Sequence, residues 1–322
     1  MAMPDIVTFT INPAVDISTS VAVVRPAHKL RCVAPRRDPG GGGINVARVV
    51  TRFGADVLAI FTMGGPIGEH LKELVAREGI RSLTIPIRAD TREDLAVVET
   101  ETGQQYRFVL PGPALAETEW RACLDALASP DLKPRFLVAS GSLPPGVPDG
   151  FYASLIEVMR GSGADDTKII VDTSGAPLQR ALEAGVYLIK PNLREMRELL
   201  GTPMDAEHDC IAACRRLVKE GRAEVVALTL GHYGAMLVTR DVALRADPVP
   251  IKPVSTVGAG DSFLGALVAR LAAGRDIEDA FRHAVAAGSA ALLAHGTELA
   301  RRDDVERLLS AVKVRPADDR SI

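Results

Sequence analysis

Six short runs of aliphatic and β-branched residues recur along the chain: IVTFTIN, DVLAIFTMG, FLVASG, KIIVDTS, VYLIKPN and EVVALTLG. Between them lie segments of 3.6-residue period, INVARVVTRFG, GEHLKELVAREG, GFYASLIEVMRG, LREMRELLG and CIAACRRLVKEG, each ending at a glycine suited to stop a helix. This alternation constrains the fold more than any other feature. A strand that is apolar at consecutive positions is buried on both faces, and a helix between two such strands returns the chain so that they run parallel. The expectation is an α/β protein, a three-layer α/β/α sandwich with a mostly parallel central sheet. With 322 residues and 47% apolar content, one domain spanning 1–322 has enough apolar surface for a large core.

One region departs from the alternation. DLAVVETETGQQYRFVL alternates with period two on either side of Thr102 and Gly103, which is the pattern of an antiparallel hairpin. The segment from Ser18 to about Pro35 accommodates no helix and is expected to supply further strands. Strands from about 17–36 and 90–110 therefore predict a small β-strand lid. The final RPADDRSI is expected to fray.

Composition narrows the range of functions. The formal net charge is −3 and both signs are dispersed, so there is no electrostatic footprint for nucleic acid or an anionic membrane. No apolar run approaches the roughly 20 residues that span a bilayer, and MAMPDIVTFT lacks the pattern of a secretory leader, which points to the cytoplasm. Cys32, Cys123, Cys210 and Cys214 show no disulfide framework and read as free thiols. His208, Cys210 and Cys214 are close enough to suggest a metal site. No second ligand pair follows, however, and the two cysteines fit one helix face.

The chemistry-bearing motifs sit at the ends of predicted strands, where open α/β sheets bind ligands. In STVGAGDSFLGAL, Gly258, Ala259 and Gly260 let the backbone approach a ligand, and the helix that follows points unpaired N–H groups at it. Asp261 beside this anion hole is expected to sit in a field that favours its ionised form, ready to take a proton from a hydroxyl. A plain helix-capping aspartate is the alternative. GGGGIN, at residues 40–45, precedes another helix and reads either as a ligand cradle or as a flexible loop. In KPNLRE, Asn192 and Glu195 stand three residues apart and suit either hydrated magnesium or a helix cap. TLGHYG, Thr229 to Gly234, follows a strand and suits a nucleotide pocket.

At these residues the sequence resembles the phosphofructokinase B group of the ribokinase-like sugar kinases. GGGGINVARVVTRFG followed by Gly64 is similar to the family's first signature, STVGAGDSFLGAL to its second, and KPN with NLRE and TLGHYG to its nucleotide and magnesium elements. The resemblance runs from about Ile6 to Leu309, and it implies a ribokinase-like fold. Within the family, INPAVD, KLRC, QYRFVLPG, SGSLPPGV and VAAGSAA resemble the bacterial branch that phosphorylates fructose 6-phosphate. Relatives acting on fructose 1-phosphate or tagatose 6-phosphate typically carry lysine where this chain has Gly42. The stretch from Val23 to His28 and the AHGT turn at 294–297 depart from the pattern.

The resemblance implies the following roles. Asp261 is the base, with the amides of Gly258, Ala259 and Gly260 around the transferring group. Asp16, Gly41 and Asn45 bind sugar hydroxyls beside Gly42, while Lys29, Arg31 and Arg92 on lid strands, with Ser142, surround the substrate's phosphate. Lys190, Asn192, Thr229 and the loop from Gly231 to Gly234 hold ATP, with Ser289 near the adenine. Glu195 positions Mg2+ through water, and Ser255, Val257, Ala291, Ala294 and Gly296 match backbone positions that hold a monovalent cation such as K+. Lids of this family often pair between subunits, so a homodimer is expected, with Val97, Tyr106 and Phe108 as apolar contacts. The absence of a GxxxxGK[ST] loop and of HRD or DFG sets excludes the P-loop and protein-kinase routes. Tagatose-6-phosphate kinase, 1-phosphofructokinase and a non-catalytic sugar-phosphate sensor are the competing readings.

Overall fold

The structure, a computed structural model, describes residues 3–294 and 296–317. Along the chain it comprises β1 (Ile6–Thr10), β2 (Ala14–Val21), β3 (Arg36–Gly40), α1 (Gly42–Arg52), β4 (Val57–Met63), α2 (Gly65–Arg77), β5 (Arg81–Pro86), β6 (Arg92–Glu99), β7 (Gln105–Phe108), α3 (Glu117–Leu127), β8 (Phe136–Ser140) and α4 (Phe151–Gly161). There follow β9 (Lys168–Asp172), α5 (Gly175–Ala184), β10 (Val186–Ile189), α6 (Leu193–Leu200), α7 (Glu207–Lys219), β11 (Ala223–Thr229), β12 (Ala235–Val238), β13 (Ala243–Ala246), α8 (Ala259–Ala272), α9 (Ile277–Ala291), α10 (Arg302–Leu309) and β14 (Val314–Pro316).

Neighbouring residues of the central strands enter two separate hydrophobic cores. Ile6, Phe136 and Leu188 join one core with side chains of α1, α8 and α9, whereas Val7, Leu137 and Ile189 join the other with side chains of α4, α5 and α7. Strands apolar on both faces are thus covered on both faces, which gives the three-layer α/β/α sandwich. The main sheet runs β14-β13-β12-β11-β10-β9-β8-β1-β4-β5. Every pairing from β11 to β5 is parallel, and β12, β13 and β14 add an antiparallel edge.

All six apolar runs are strands of this sheet. Less legible were β5, whose RSLTIP has no clean period, and the short β12 and β13. The fraying expected from Arg315 onward is corrected in part. Arg315 and Pro316 pair with Arg245 and Leu244 on β13, and the Ala317 amide donates to the Ala243 carbonyl at 2.8 Å. The remainder of RPADDRSI lies outside the described residues. Cys210 and Cys214 face the core from α7 while His208 is exposed, which separates the three residues of the suggested metal cluster.

A second sheet, β3-β2-β6-β7, stands apart from the first. The hairpin turns at Thr102 and Gly103, where the Gly103 amide donates to the Glu99 carbonyl at 2.8 Å. Its other half differs from the 17–36 expectation. β2 starts at Ala14, where Ala14 and Val15 are anchored in the interior, and β3 starts only at Arg36. Between them, residues 22–35 include Pro26 and Pro35, bury no side chain and form no strand, so Lys29 and Arg31 stand on an exposed segment rather than on lid strands.

Candidate active site

Helix α8 opens on Gly258, whose φ of 72° is a conformation that side chains resist, and the Ser262 amide is the first to donate back to the Gly258 carbonyl, at 2.8 Å. The amides between them have no partner within the helix and stand at its positive end, an arrangement suited to an anion. Asp261 lies in this first turn. One of its oxygens accepts from Asn45 Nδ2 at 2.8 Å, which joins two motifs that lie 216 residues apart in the chain. Gly260 sits against the Lys190 ammonium, which pairs with Asp172 at 3.2 Å, and Asp172 also accepts from Ser140 Oγ at 3.1 Å.

The shift of Asp261 runs opposite to the lowering expected of a helix end, although a carboxyl near 6 is still largely ionised at neutral pH. Burial dominates and, with the Asp172 carboxylate, raises it to about 6, against the opposing pull of Lys190, the Asn45 hydrogen bond and Arg107. A carboxyl raised to about 6, and ionised at neutral pH, lies in the range suited to a general base. For Lys190, burial works against the charge, but Asp172, Asp261 and Glu195 more than compensate and raise it.

The glycine run is a packed wall rather than a flexible loop. A Cβ at Gly40 would run into the Asp16 carboxylate, and one at Gly42 into Ser140 Oγ; Gly41 has φ 108°. Asn45 follows at the start of α1, its amide donating to the Gly41 carbonyl at 2.9 Å. Asp16 stands in register with Asp38 on β3 and Asp94 on β6. Burial and then Asp94 push it to about 7, opposed by Arg48, Arg107 and Arg92.

Among the lid cations the structure separates Arg92 from Lys29 and Arg31. Arg92 is on β6, paired with Asp94 at 3.2 Å and donating to the Leu110 carbonyl at 2.6 Å and to the Asn12 carbonyl at 3.3 Å, while its Nε is buried with no partner. Asn12 donates to Ser142 Oγ at 3.2 Å, so Arg92 and Ser142 meet through Asn12, whose own Oδ1 is likewise buried and unpaired. The two unmet polar atoms lie on neighbouring groups and would suit a polar ligand. Lys29 and Arg31 are exposed, and neither is among the groups that shift Asp16 or Asp261.

At the ends of β10 and β11, Asn192 and Thr229 pair as a parallel bridge that continues the two strands, and the turn from Gly231 to Gly234 follows directly. Asn192 and Glu195 realise the capping alternative: Asn192 Oδ1 accepts the Glu195 amide, and Glu195 Oε2 accepts the Asn192 amide, both at 2.9 Å. One carboxylate with a single oxygen engaged fits a water-mediated divalent ion and not a direct cage. Ser289 sits on α9, whose Gly288 packs against the Ala259 carbonyl at the start of α8.

Ser255 Oγ bonds the Gly296 carbonyl at 3.2 Å and accepts the Val257 amide at 3.2 Å, while the Ala294 amide turns back to the Ala291 carbonyl at 3.1 Å. These positions offer neutral oxygens, a donor set that suits a large monovalent ion better than a divalent one. Of the AHGT turn, His295 lies outside the described residues; Thr297 donates to Asp38 at 2.7 Å.

Four further residues escaped the sequence reading. Asp172 carried a visible signal as the carboxylate ending the strand KIIVDTS. Arg107 on β7 and Asn12 carried a weaker one, in QYRFVLPG and INPAVD. Arg48, fully buried on α1, carried none, because an arginine in a helix pattern reads as a solvated charge.

Comparison with known proteins agrees with this geometry. The pattern of the pfkB family carbohydrate kinases matches residues 9–303. The chain is 47% identical over 304 residues to an ATP-dependent 6-phosphofructokinase isozyme 2 of Mycobacterium tuberculosis, covering 94% of this chain and 88% of that one. It is 40% identical over 307 residues to the protein of the same name in Escherichia coli, covering 95% and 98%. The crystal structure of phosphofructokinase-2 from Escherichia coli in complex with potassium superposes with a TM-score of 0.90 over 96% of this chain and 99% of that one, at 40% identity.

Proposed function

The chain belongs to the pfkB family of carbohydrate kinases, and from that premise we propose that it is an ATP-dependent 6-phosphofructokinase, converting fructose 6-phosphate to fructose 1,6-bisphosphate. The observation that carries the reading is Asp261: a buried carboxyl in the first turn of α8, beside unpaired amides and bonded to Asn45.

In the proposed reaction Asp261 takes the proton of the sugar's 1-hydroxyl. The O1–Pγ bond forms as the bond from Pγ to the bridging β-phosphate oxygen breaks, and ADP leaves with that electron pair. The amides at the start of α8 and Lys190 face the transferring group and stabilise its charge in a site that excludes bulk water. Asp16, Gly41 and Asn45 orient the sugar hydroxyls. Arg92 and Ser142 hold the phosphate at the far end of the sugar, with Arg107 on the same side of the lid, and Lys29 and Arg31 reach it only if their exposed segment closes. The nucleotide lies along Asn192, Thr229 and the turn from Gly231 to Gly234, with Ser289 near its base. Magnesium, held through water by Glu195, would neutralise charge on the nucleotide phosphates. A potassium ion among Ser255, Val257, Ala291, Ala294 and Gly296 would support the adjoining anion hole.

Gly42 favours this substrate over those of the related kinases. A Cβ at Gly42 would run into Ser140 Oγ, so the lysine typical of the competing branches would require Ser140 to shift. A pure sensor has no need of a base held by Asn45. Exposed Leu95 and Phe108, in register on the lid, with Val109 and Leu110 beside them, support a homodimer formed by the lids, whereas Val97 is already covered within its own subunit and Tyr106 is half-buried. No helix among the described residues is long and apolar enough to cross a membrane, and with three of its four thiols buried and free the cytoplasm is the proposed setting.

A coupled ADP-release assay over fructose 6-phosphate, tagatose 6-phosphate, fructose 1-phosphate and fructose tests the proposal. The highest kcat/KM is expected for fructose 6-phosphate. A preference for fructose 1-phosphate would overturn the assignment.

A further inference from the structure

Arg48 is an arginine with no exposed surface, set on α1 one turn after Asn45. Its Nε and Nη2 donate to Glu78 Oε1 at 3.0 and 2.8 Å, and its Nη1 donates to the Pro39 carbonyl at 3.0 Å and to Asn45 Oδ1 at 3.3 Å. Asp38 on β3 lies 3.7 Å away. Burying a guanidinium is costly even when it is fully paired, and an apolar side chain would fill the same space at lower cost, so packing is a poor account of why it is there.

The bond to Asn45 supplies a better one. An amide side chain can turn by 180° and exchange its oxygen and nitrogen. Arg48 only donates, so it fixes the Asn45 oxygen on its own side and forces the NH2 group toward Asp261, where it donates at 2.8 Å. With the amide reversed, an oxygen would face the Asp261 carboxylate. The same guanidinium holds Pro39 at the point where lid strand β3 passes into α1, so lid and base share one anchor.

We propose that Arg48 is a positioning residue of the phosphoryl transfer, orienting Asn45 toward the base Asp261 and tying that orientation to the root of the lid. The inference rests on the reading of Asp261 as the base. The groups that act on Asp261 are Asp172, Lys190, Asn45 and Arg107; of these only Asn45 touches Arg48, so substitution at 48 perturbs one contribution and leaves three in place.

The test is the pH profile of kcat with ATP and fructose 6-phosphate. In Arg48→Met, the acid limb is expected to rise by about half a unit or more, with kcat at pH 8 down about 10-fold, because a hydrogen bond that favoured the ionised base is lost. Arg48→Lys, which retains one charged donor but not the fork, is expected to shift less and to regain part of the turnover. Glu78, one-quarter exposed at the end of α2, gives a second site: Glu78→Ala frees the Nε and Nη2 of Arg48, along with the contact to Arg52, and is expected to move the limb in the same direction by a smaller amount. A merely structural Arg48 would lower thermal stability and leave the limb alone. A folded Arg48→Met with the parent's acid limb overturns the proposal; if that variant does not fold, an unmoved limb in Glu78→Ala does so. Asp261→Asn assayed in parallel separates the two readings, since near-normal turnover there would remove the base itself.

Discussion

The two ends of the site are built on opposite principles. At the α8 end every charge has a partner inside the protein: Lys190 with Asp172, Asp172 with Ser140, Asp261 with Asn45, and Asn45 with Arg48. At the lid end the basic groups are incompletely satisfied. Arg92 keeps a buried, unpaired Nε, Arg107 is exposed, and Lys29 and Arg31 stand on a segment without secondary structure. The difference shows which end is set before substrate arrives. In the proposed reaction the groups that act on a developing charge are preorganised at the ends of central strands, where they need no rearrangement. Arg92, although paired with Asp94 at 3.2 Å, keeps an unmet donor that the phosphate of the proposed substrate would complete.

Removing the central group of the preorganised end should have the largest effect. Asp261→Asn is expected to fold, to retain ATP binding and to lose about 100-fold or more in kcat, the usual worth of a general base. Rapid-quench or steady-state turnover on protein with an unchanged Tm measures it; turnover within a few fold of the parent would mean that the preorganised network serves binding alone.

At the lid end the effect should be smaller and should appear in a different constant. Arg92→Ala is expected to raise KM for fructose 6-phosphate by about 10–100-fold, as loss of a charge-assisted hydrogen bond would, and to leave the KM for ATP and the activity on free fructose nearly unchanged. If kcat fell while KM held, Arg92 would belong with the chemistry and the contrast between the two ends would collapse.

What was legible in the sequence follows the same division. Strands apolar at consecutive positions announce burial on both faces, so the parallel sheet and its six core strands could be read directly, and Gly258 to Asp261 stood out because small residues before a helix have few uses. The lid was legible only where it alternates, in β6 and β7. The segment carrying Lys29 and Arg31 looked like strand because it looked unlike helix, but with prolines at 26 and 35 and no buried side chain it makes only isolated bonds, such as the Val33 amide to the Ser20 carbonyl at 3.0 Å, and no ladder. Pairings made through space were invisible. Asp172 raises Asp261, and Arg48 orients Asn45, only because β9, β10, α1 and α8 bring their ends together. The direction in which Asp261 is shifted was misjudged for the same reason, since a helix end can be seen in a sequence and the depth of burial cannot.

A metal-linked effect should rank below both substitutions. Glu195 spends one oxygen on its capping box with Asn192, so Glu195→Gln is expected to preserve the helix start while raising the magnesium concentration for half-maximal activity by about 10-fold. Titrating magnesium at fixed ATP checks this, and an unchanged half-maximal concentration would reduce Glu195 to its capping role.

The smallest predicted effect concerns the boundary between the two ends, where Asp16 lies. Its carboxyl is raised from 3.8 to about 7 by burial and by Asp94. An acid whose pKa is higher in the folded protein than in the unfolded chain binds its proton more tightly when folded. Between about 4 and 7 the folded state therefore holds more protons, and stability falls as the pH rises through that window. Above it the full cost of an ionised, buried carboxylate is present. Asp16→Asn removes that cost and keeps the shape, so the substrate-free variant should melt about 2–4 °C above the parent at pH 8, with the gap closing as the pH is lowered toward 5. A gap of the same size at every pH would mean that Asp16 is destabilising for reasons other than its charge. If the gap closes as predicted and fructose 6-phosphate raises the parent's Tm more than the variant's, the carboxylate is a group whose burial costs stability in the free protein and is offset when a sugar hydroxyl donates to it.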